Sequence, residues 1–169
     1  MKIRKAISND EAGIAQVHVD SWISTYSGII PTEYLDKLTY ENRQKLWEKN
    51  ILELDVFVAE NNEGRIIGFS TGRTERTGRH KGFDGELSSI YLLKEYQGKG
   101  IGKRLLNSVV NTLRSKGINS MLVLVLEDNP SRYFYEAMGA QILDKIELEI
   151  GGKKLNEIVY GWDGISKLA

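Results

Sequence analysis

The feature that most restricts how this chain can fold is a glycine-rich turn near its middle. Residues 97–102 read Gln-Gly-Lys-Gly-Ile-Gly, which places glycine at positions 98, 100 and 102. Residues 83–93, before the turn, have the composition of a strand. Residues 98–116, after it, carry apolar side chains at helical spacing, which predicts an amphipathic helix that Gly117 ends. The sequence therefore predicts a strand, a tight turn and a helix in direct succession.

The predicted turn has the chemistry of an anion-binding site. Glycine allows close backbone approach, and the first N–H groups of a helix are unpaired donors at its positive end. A phosphate or pyrophosphate suits such a position, and Lys99 and Lys103 add positive charge. A P-loop is excluded because Gln97 and Arg104 stand at its required positions, and a dinucleotide fingerprint is excluded because Lys103 replaces its third glycine. The glycines alone leave a flexible turn without a ligand as the alternative.

Hydrophobic periodicity predicts the remaining elements. The order is β-α-α-β-β-β-α-β-α-β-β, which indicates an α+β fold with a mixed sheet rather than an alternating Rossmann pattern. The strand at residues 121–126 is apolar throughout and is predicted to be buried on both faces. The other predicted segments are a strand at 2–7, a helix that begins after the N-cap candidates Ser8, Asn9 and Asp10, helices at 32–38 and 40–52, strands at 54–60 and 65–73, a helix from Pro130 to about 138, and a hairpin of 142–150 and 155–162.

Composition limits the class of protein. A chain of 169 residues with 41% hydrophobic side chains is long enough for one core, so residues 1–169 are predicted to form a single domain. Lys+Arg and Asp+Glu both number 23, which argues against binding to nucleic acid or membrane by bulk charge. The absence of cysteine excludes a disulfide scaffold, a thiol nucleophile and zinc–cysteine sites, and two distant histidines predict no metal site. With no targeting or spanning segment evident, a soluble cytoplasmic protein is expected.

Two segments resemble the signature of the GNAT superfamily of acyl-CoA-dependent N-acetyltransferases. The first joins residues 86–92, Glu-Leu-Ser-Ser-Ile-Tyr-Leu, to the glycine turn. The second is residues 128–139, which is similar to the family's N-P-x-R-x-F-Y-E-x-x-G segment. Both lie in the family's order and spacing. The resemblance implies a GNAT-type acyl-CoA N-acyltransferase fold over nearly the whole chain, with a mixed central sheet of about seven strands flanked by about four helices.

The resemblance also implies acetyl-CoA as co-substrate, with no metal. The turn's backbone N–H groups would hold the pyrophosphate, the main chain of the preceding strand would bond the pantetheine arm, and an Asn before the next helix would contact CoA. The residues implied are Ile90, Tyr91, Leu92, Gln97, Gly98, Lys99, Gly100, Ile101, Gly102, Lys103 and Asn129.

For the reaction, the resemblance implies direct attack of an amine on the thioester in a ternary complex. Tyr135 matches the tyrosine that protonates the departing thiolate, and a core tyrosine is its alternative. Glu86 matches a position where several relatives carry a catalytic Glu, and would act as general base directly or through water. A solvated edge carboxylate is its alternative. A backbone N–H, at Leu92, would stabilise the oxyanion.

The acceptor cannot be identified from sequence, but a small-molecule amine is favoured because no extended charged groove is evident. A protein N-terminus or a lysine is the alternative, as is a catalytically silent CoA-binding module or an enzyme that uses longer acyl chains. No nucleic acid or membrane partner is expected, and a homodimer is a family-level expectation only.

Three further patterns are interpreted as structural. Residues 68–72 fit G-x-S-x-G, but Ser70 lies inside a predicted hairpin strand rather than at a strand-to-helix elbow, which argues against a serine hydrolase. His18, Trp22 and Tyr26 share one helical face, and a partly buried face is favoured over an acceptor pocket. The basic residues between 73 and 81 are interpreted as a solvated loop rather than a nucleic-acid site.

Overall fold

The computed structural model describes residues 1–168, which form seven strands and five α-helices in the predicted order, except that three helices rather than two separate the first two strands. The strands are β1 (Lys2–Lys5), β2 (Asp55–Glu60), β3 (Ile66–Thr74), β4 (Gly85–Leu92), β5 (Met121–Leu126), β6 (Gln141–Ile150) and β7 (Lys153–Trp162). The helices are α1 (Glu11–Tyr26), α2 (Thr32–Leu35), α3 (Tyr40–Glu53), α4 (Ile101–Ser115) and α5 (Arg132–Ala137).

All seven strands form one sheet in the order β1-β2-β3-β4-β5-β7-β6. Every neighbouring pair is antiparallel except β4 and β5, which are parallel. The long connection between β4 and β5 contains α4, as a parallel pair requires. The predicted α+β fold with a mixed seven-stranded sheet is therefore confirmed, with one more helix than expected.

The helices cover both faces of the sheet. On β3, the ring of Phe69 lies 6.0 Å from that of His18 on α1. Gly72 lies three residues further along β3, on the face that also carries Ser70. It lies so close to Val109 of α4 that a side chain at this position would collide with Val109. Because successive strand residues point to opposite faces, α1 and α4 pack on opposite sides of the sheet. As predicted, α4 buries a continuous apolar stripe, formed by Ile101, Leu105, Leu106, Val109, Val110 and Leu113.

Three local predictions need correction. Helix α4 begins at Ile101 rather than at Gly98, because Gly98 and Gly100 have positive φ angles of 74° and 81° that a right-handed helix cannot contain. Strand β5 is not buried on both faces, since Leu124 is 41% exposed. Asp10 occupies the N-cap position of α1, but its carboxylate binds Arg4 and the N–H of Ile7 instead of capping the helix.

Strands β4 and β5 form a fork. They are paired only at Gly85–Met121 and Glu86–Leu122, after which the strands diverge. At the closed end, a side chain at position 85 would lie 2.7 Å from the carbonyl oxygen of Ser120, so only glycine permits this close approach. A bulge at Ser88, where the β3–β4 register shifts, bends β4 away from its neighbour. The open end of the fork leads into a cleft between β4 and α5.

No helix within residues 1–168 combines the length and the apolar character that crossing a membrane requires.

Candidate active site in the fork between two strands

The open end of the fork leads into a cleft of about 650 Å³. Its walls come from β4, the glycine turn, the first turn of α4, and α5, with Thr25 of α1 at one side. A smaller hollow of about 50 Å³ adjoins it, between β4 and β5. Tyr135 and Asn129 line both spaces. The cleft and the hollow are therefore two parts of one site.

The glycine turn presents main-chain donors to the cleft. Gly98 and Gly100 adopt the left-handed conformation that glycine favours. Among residues 1–168, no side chain caps the first turn of α4, so its N–H groups are available to a ligand. The third glycine, Gly102, has no positive φ, and a Cβ there would lie 3.7 Å from the ring of Phe134, an ordinary contact. The turn has the geometry of an anion site that depends on Gly98 and Gly100.

The other turn residues divide between the cleft and the protein interior. Gln97 lines the cleft, and its Nε2 donates to the carbonyl oxygen of Leu92 at 3.0 Å. Lys103 also lines the cleft, whereas the ammonium of Lys99 lies 5.5 Å from the ring centre of Tyr96. Ile101 is buried in the core, so only its main chain is placed to face a ligand. Lys94, which no motif marked, lines the cleft and adds a second cation there.

The main chain of β4 faces the cleft at two of the three positions expected to bind a ligand. The N–H of Leu93 donates to the carbonyl oxygen of Ile67 on β3 at 2.9 Å. Since main-chain groups of a strand alternate between its edges, Tyr91 also faces β3, whereas Ile90 and Leu92 face the fork. The expectation of main-chain contact at Tyr91 therefore needs correction. Its side chain is partly buried on the α1 side, where its hydroxyl accepts from Nε1 of Trp22 at 3.0 Å.

Tyr135 lies on α5 and is only 6% exposed. Burial raises the pKa of its hydroxyl, and the neighbouring Tyr91 and Tyr26 raise the pKa further. The hydroxyl therefore carries its proton throughout the neutral range, as a proton donor must. Tyr135 lies where the cleft and the hollow meet.

Asn129 precedes α5 and is buried. Its Nδ2 donates to the hydroxyl of Tyr26 at 3.0 Å, and its Oδ1 accepts from the N–H of Ser131 at 2.9 Å. The side-chain amide thus joins α1 to the start of α5 at the edge of the cleft. This bond also holds Tyr26 in the wall of the hollow.

Glu86 lies at the closed end of the fork, outside both the cleft and the hollow as their linings define them. Its Oε2 accepts from Nε of Arg73 at 3.3 Å, and its side chain is 17% exposed. The ion pair leaves Oε1 without a hydrogen-bond partner among residues 1–168. Glu86 is next in sequence to the residues that line the hollow, but it does not line the hollow itself.

The hollow contains an orphan polar group. The Oγ atom of Ser88, at the bulge of β4, is buried and has no hydrogen-bond partner within the described residues. Buried hydroxyls are nearly always paired in native proteins, so an orphan in a hollow indicates a place where a ligand or water donates or accepts.

The patterns interpreted as structural have the expected surroundings. Ser70 is fully buried in β3 and donates to the carbonyl oxygen of Leu105 at 3.0 Å, so the residues at 68–72 form no nucleophile elbow. Nδ1 of His18 accepts from Nε1 of Trp47 at 3.0 Å in the core, which confirms a buried helix face. Of the three residues on that face, Tyr26 also reaches the hollow. Within residues 1–168, no group of three or more His, Asp or Glu side chains is arranged to hold a metal ion.

Comparison with known proteins agrees with this geometry. Residues 18–140 match the model of the acetyltransferase (GNAT) family. The chain is 40% identical over 166 residues to the uncharacterized N-acetyltransferase YuaI of Bacillus subtilis, covering 98% of this chain and 95% of that protein. It is also 34% identical over 91 residues to the [ribosomal protein bS18]-alanine N-acetyltransferase of Haemophilus influenzae, covering 54% of this chain and 57% of that protein.

The fold is shared with solved structures as well. The PaiA N-acetyltransferase of Thermoplasma acidophilum, solved in complex with coenzyme A, superposes with a TM-score of 0.76 at 24% identity and covers 95% of this chain and 96% of its own. The family model and the full-length relative, together with the fork and its glycine turn, establish that this chain belongs to the GNAT family of acetyltransferases.

Proposed function

We propose that this protein transfers the acetyl group of acetyl-CoA to the primary amine of a small molecule by direct attack in a ternary complex. One observation carries the proposal: the anion-binding turn and the protonated hydroxyl of Tyr135 line the same cleft at the open end of the fork. A thioester donor with a phosphate-bearing tail needs both groups in one continuous space.

The cleft fits acetyl-CoA in three respects. The turn at Gly98 and Gly100 offers unpaired N–H donors to a pyrophosphate, and Lys94 and Lys103 add positive charge beside it. The main chain of Ile90 and Leu92 is not paired with β5. It can therefore form hydrogen bonds with an extended arm that contains amides, as the edge of a sheet does. The cleft is walled by the apolar side chains of Phe134 and Met138.

The reaction replaces a carbon–sulfur bond with a carbon–nitrogen bond, and protons must move with it. The acceptor amine has to lose a proton before it can attack, and we assign Glu86 to receive that proton through water. Tyr135 gives its proton to the departing sulfur. After the attack, the nitrogen loses a proton, and this proton restores the hydroxyl of Tyr135. A main-chain N–H of β4, at Leu92, is the proposed donor to the oxyanion.

A small acceptor is supported by how the far side of the hollow is built. The turn of the β6–β7 hairpin packs on the segment between α1 and α2: Nζ of Lys153 donates to the carbonyl oxygen of Ile29 at 2.7 Å, and Gly151 abuts Pro31 and Tyr34. This contact bounds the acceptor side. A hollow of about 50 Å³ suits the end of an alkyl amine.

A protein α-amine is the second candidate, and a specific observation favours it. The Haemophilus influenzae relative is named for acetylating an alanine of ribosomal protein bS18, and its match covers just over half of this chain.

The two candidates are separated by one assay. Thiol release from acetyl-CoA is measured with a panel of small alkyl amines, with amino acids, and with peptides that have free N-termini. Turnover of the small amines at kcat/KM at least about tenfold above that of the peptides supports the proposal. The reverse preference assigns a protein substrate, and the absence of thiol release with every amine contradicts both.

A further inference from the structure

The acceptor side of the sheet carries a carboxylate that the proposed chemistry does not use. Glu157 lies on β7, directly opposite Leu126 of β5 and Ile146 of β6. It is two residues from Leu155, so both side chains point to the same face, where Leu155 packs in a cluster with Tyr26 and Leu126. Glu157 thus borders the apolar cluster beneath the end of α1.

No side chain within residues 1–168 forms an ion pair with Glu157. Partial burial raises the pKa of its carboxyl, and no hydrogen bond or nearby cation offsets that cost. The carboxylate also contributes to raising the pKa of Tyr26, whose hydroxyl lines the hollow. An unpaired carboxylate in a partly apolar setting costs stability unless a ligand supplies the cation.

Glu157 lines neither the cleft nor the hollow, but it shares a face of the sheet with a residue that lines the hollow. Leu124, two residues before Leu126 on β5, points to the same face, lines the hollow and is 41% exposed. Two other acids on this face already have partners: Oδ2 of Asp144 contacts Nε2 of His80 at 3.3 Å, and Glu86 pairs with Arg73. The open face is therefore apolar at Leu124 and negative at Glu157.

We propose that Glu157 binds a second ammonium group of the acceptor, so that the acceptor is an α,ω-diamine rather than a simple monoamine. This inference rests on the proposed function, since it assumes that the attacking nitrogen lies in the hollow beside Leu124. The step from Leu124 to Leu126, level with Glu157, is two strand residues or about 7 Å. An extended chain of about four methylenes has a comparable length between its two nitrogens, given ordinary bond lengths.

The sheet supplies a matched control. Glu147 lies on β6, in the same hairpin, but is exposed and lies next to Leu148, which packs in the cluster with Leu155. Its side chain therefore points to the opposite face. Glu147→Gln and Glu157→Gln remove the same charge from the same hairpin, and only the second removes it from the acceptor face.

The experiment compares kcat/KM for 1,4-diaminobutane and for butylamine. The wild type is expected to prefer the diamine by about tenfold or more, Glu157→Gln to bring the two amines to within about twofold, and Glu147→Gln to keep the preference. Butylamine turnover should be unchanged in both variants. Equal use of both amines by the wild type, or an unchanged diamine preference in Glu157→Gln, overturns the assignment.

A binding measurement separates failure of this inference from failure of the proposed function. If neither amine is acetylated, thermal stabilisation by 1,4-diaminobutane is measured on the same three proteins in the presence of CoA. Stabilisation of the wild type and Glu147→Gln but not of Glu157→Gln supports the diamine site, even with acetyl transfer to these amines excluded. Equal stabilisation of all three proteins, or of none, overturns it.

Discussion

The two sides of the fork are built from different parts of the chain. The cleft offers the main chain of the glycine turn and of β4 at Ile90 and Leu92, with lysines beside it. The acceptor face offers single side chains from strands distant in sequence, Glu86 on β4, Leu124 on β5 and Glu157 on β7. A site made of main chain depends on backbone conformation, whereas a site made of side chains depends on individual groups.

This difference predicts how each side responds to substitution. Most side-chain changes around the turn leave its N–H donors in place, so donor binding should be sensitive only where a residue fixes the backbone. On the acceptor face, removal of one carboxylate removes one interaction. The acceptor face is therefore where small sequence changes alter specificity.

The largest effect is expected for Gly100→Val. A β-branched residue at φ +81° is strained by roughly 1–2 kcal/mol, and its side chain would project where a pyrophosphate needs the backbone. We expect acetyl-CoA binding to weaken at least about 100-fold, measured by calorimetry. Gly102→Ala is the control, because its Cβ would make only an ordinary contact with Phe134, and it should bind within about threefold of the wild type. Normal binding by Gly100→Val would remove the turn from the site.

Tyr135→Phe should have the next largest effect and should separate binding from chemistry. Loss of the proton donor is expected to lower kcat about 100- to 1,000-fold, with acetyl-CoA affinity changed less than about twofold. Tyr133→Phe removes a hydroxyl from the same helix, at a residue that is 61% exposed, and should keep full activity. Equal rates for Tyr135→Phe and the wild type would leave Tyr135 with a structural role only.

His18 tests the core that supports both sides, since its ring stacks on Tyr91 of β4. Burial, with a smaller contribution from Arg43, lowers the pKa of His18 from 6.5 to about 4. The folded state therefore binds fewer protons than the unfolded state between these values, and the free energy of unfolding should fall as the pH drops through that window. The loss is at most about 3 kcal/mol.

His18→Gln keeps an acceptor for Trp47 and removes the titration. Denaturant unfolding between pH 7 and pH 4 should show a smaller loss of stability in this variant than in the wild type. Carboxylates such as Asp55, whose pKa is lowered by hydrogen bonds from Lys116 and Lys5, account for the acid sensitivity that stays. Parallel pH curves for the two proteins would show that His18 does not report on this core.

Glu86→Gln should have the smallest effect, because the proposed proton transfer passes through water. We expect kcat to fall about tenfold with acetyl-CoA affinity unchanged, which is below the usual range of about 100- to 10,000-fold for a directly acting general base. Glu147→Gln again serves as the control for loss of one negative charge. A full rate in Glu86→Gln would make the carboxylate a partner for Arg73 alone and would limit the chemistry of the acceptor face to binding.

Much of the fold was accessible from sequence because it depends on local patterns. The apolar stripe of α4 follows from side-chain spacing, and the turn before it follows from glycine at 98 and 100, which later proved to have positive φ angles. The order of strands and helices followed in the same way. Boundaries were less accessible: the first residue of α4 depended on where positive φ angles ended, which the apolar spacing does not reveal.

The acceptor side was largely inaccessible for a physical reason. The pairing of β4 with β5 stops after Glu86 and Leu122. Where it stops depends on two strands that are far apart in sequence, and no local signal encodes it. Glu157 carried one signal, since it alternates with Leu155 and Val159 on a face that is otherwise apolar, as a buried or functional acid does. Its nearness to Tyr26 required the register of β7 on β5.

By itself, the sequence determined the α+β element order, the glycine turn before α4 and the placement of Tyr135 within a family motif, because each depends on neighbouring residues and their spacing. The tertiary structure alone decided that Tyr91 turns its main chain away from the cleft, that Glu86 pairs with Arg73, and that Glu157 shares a face of the sheet with Leu124. Those three facts depend on strand register and on where two strands part, which are set by packing across the whole sheet.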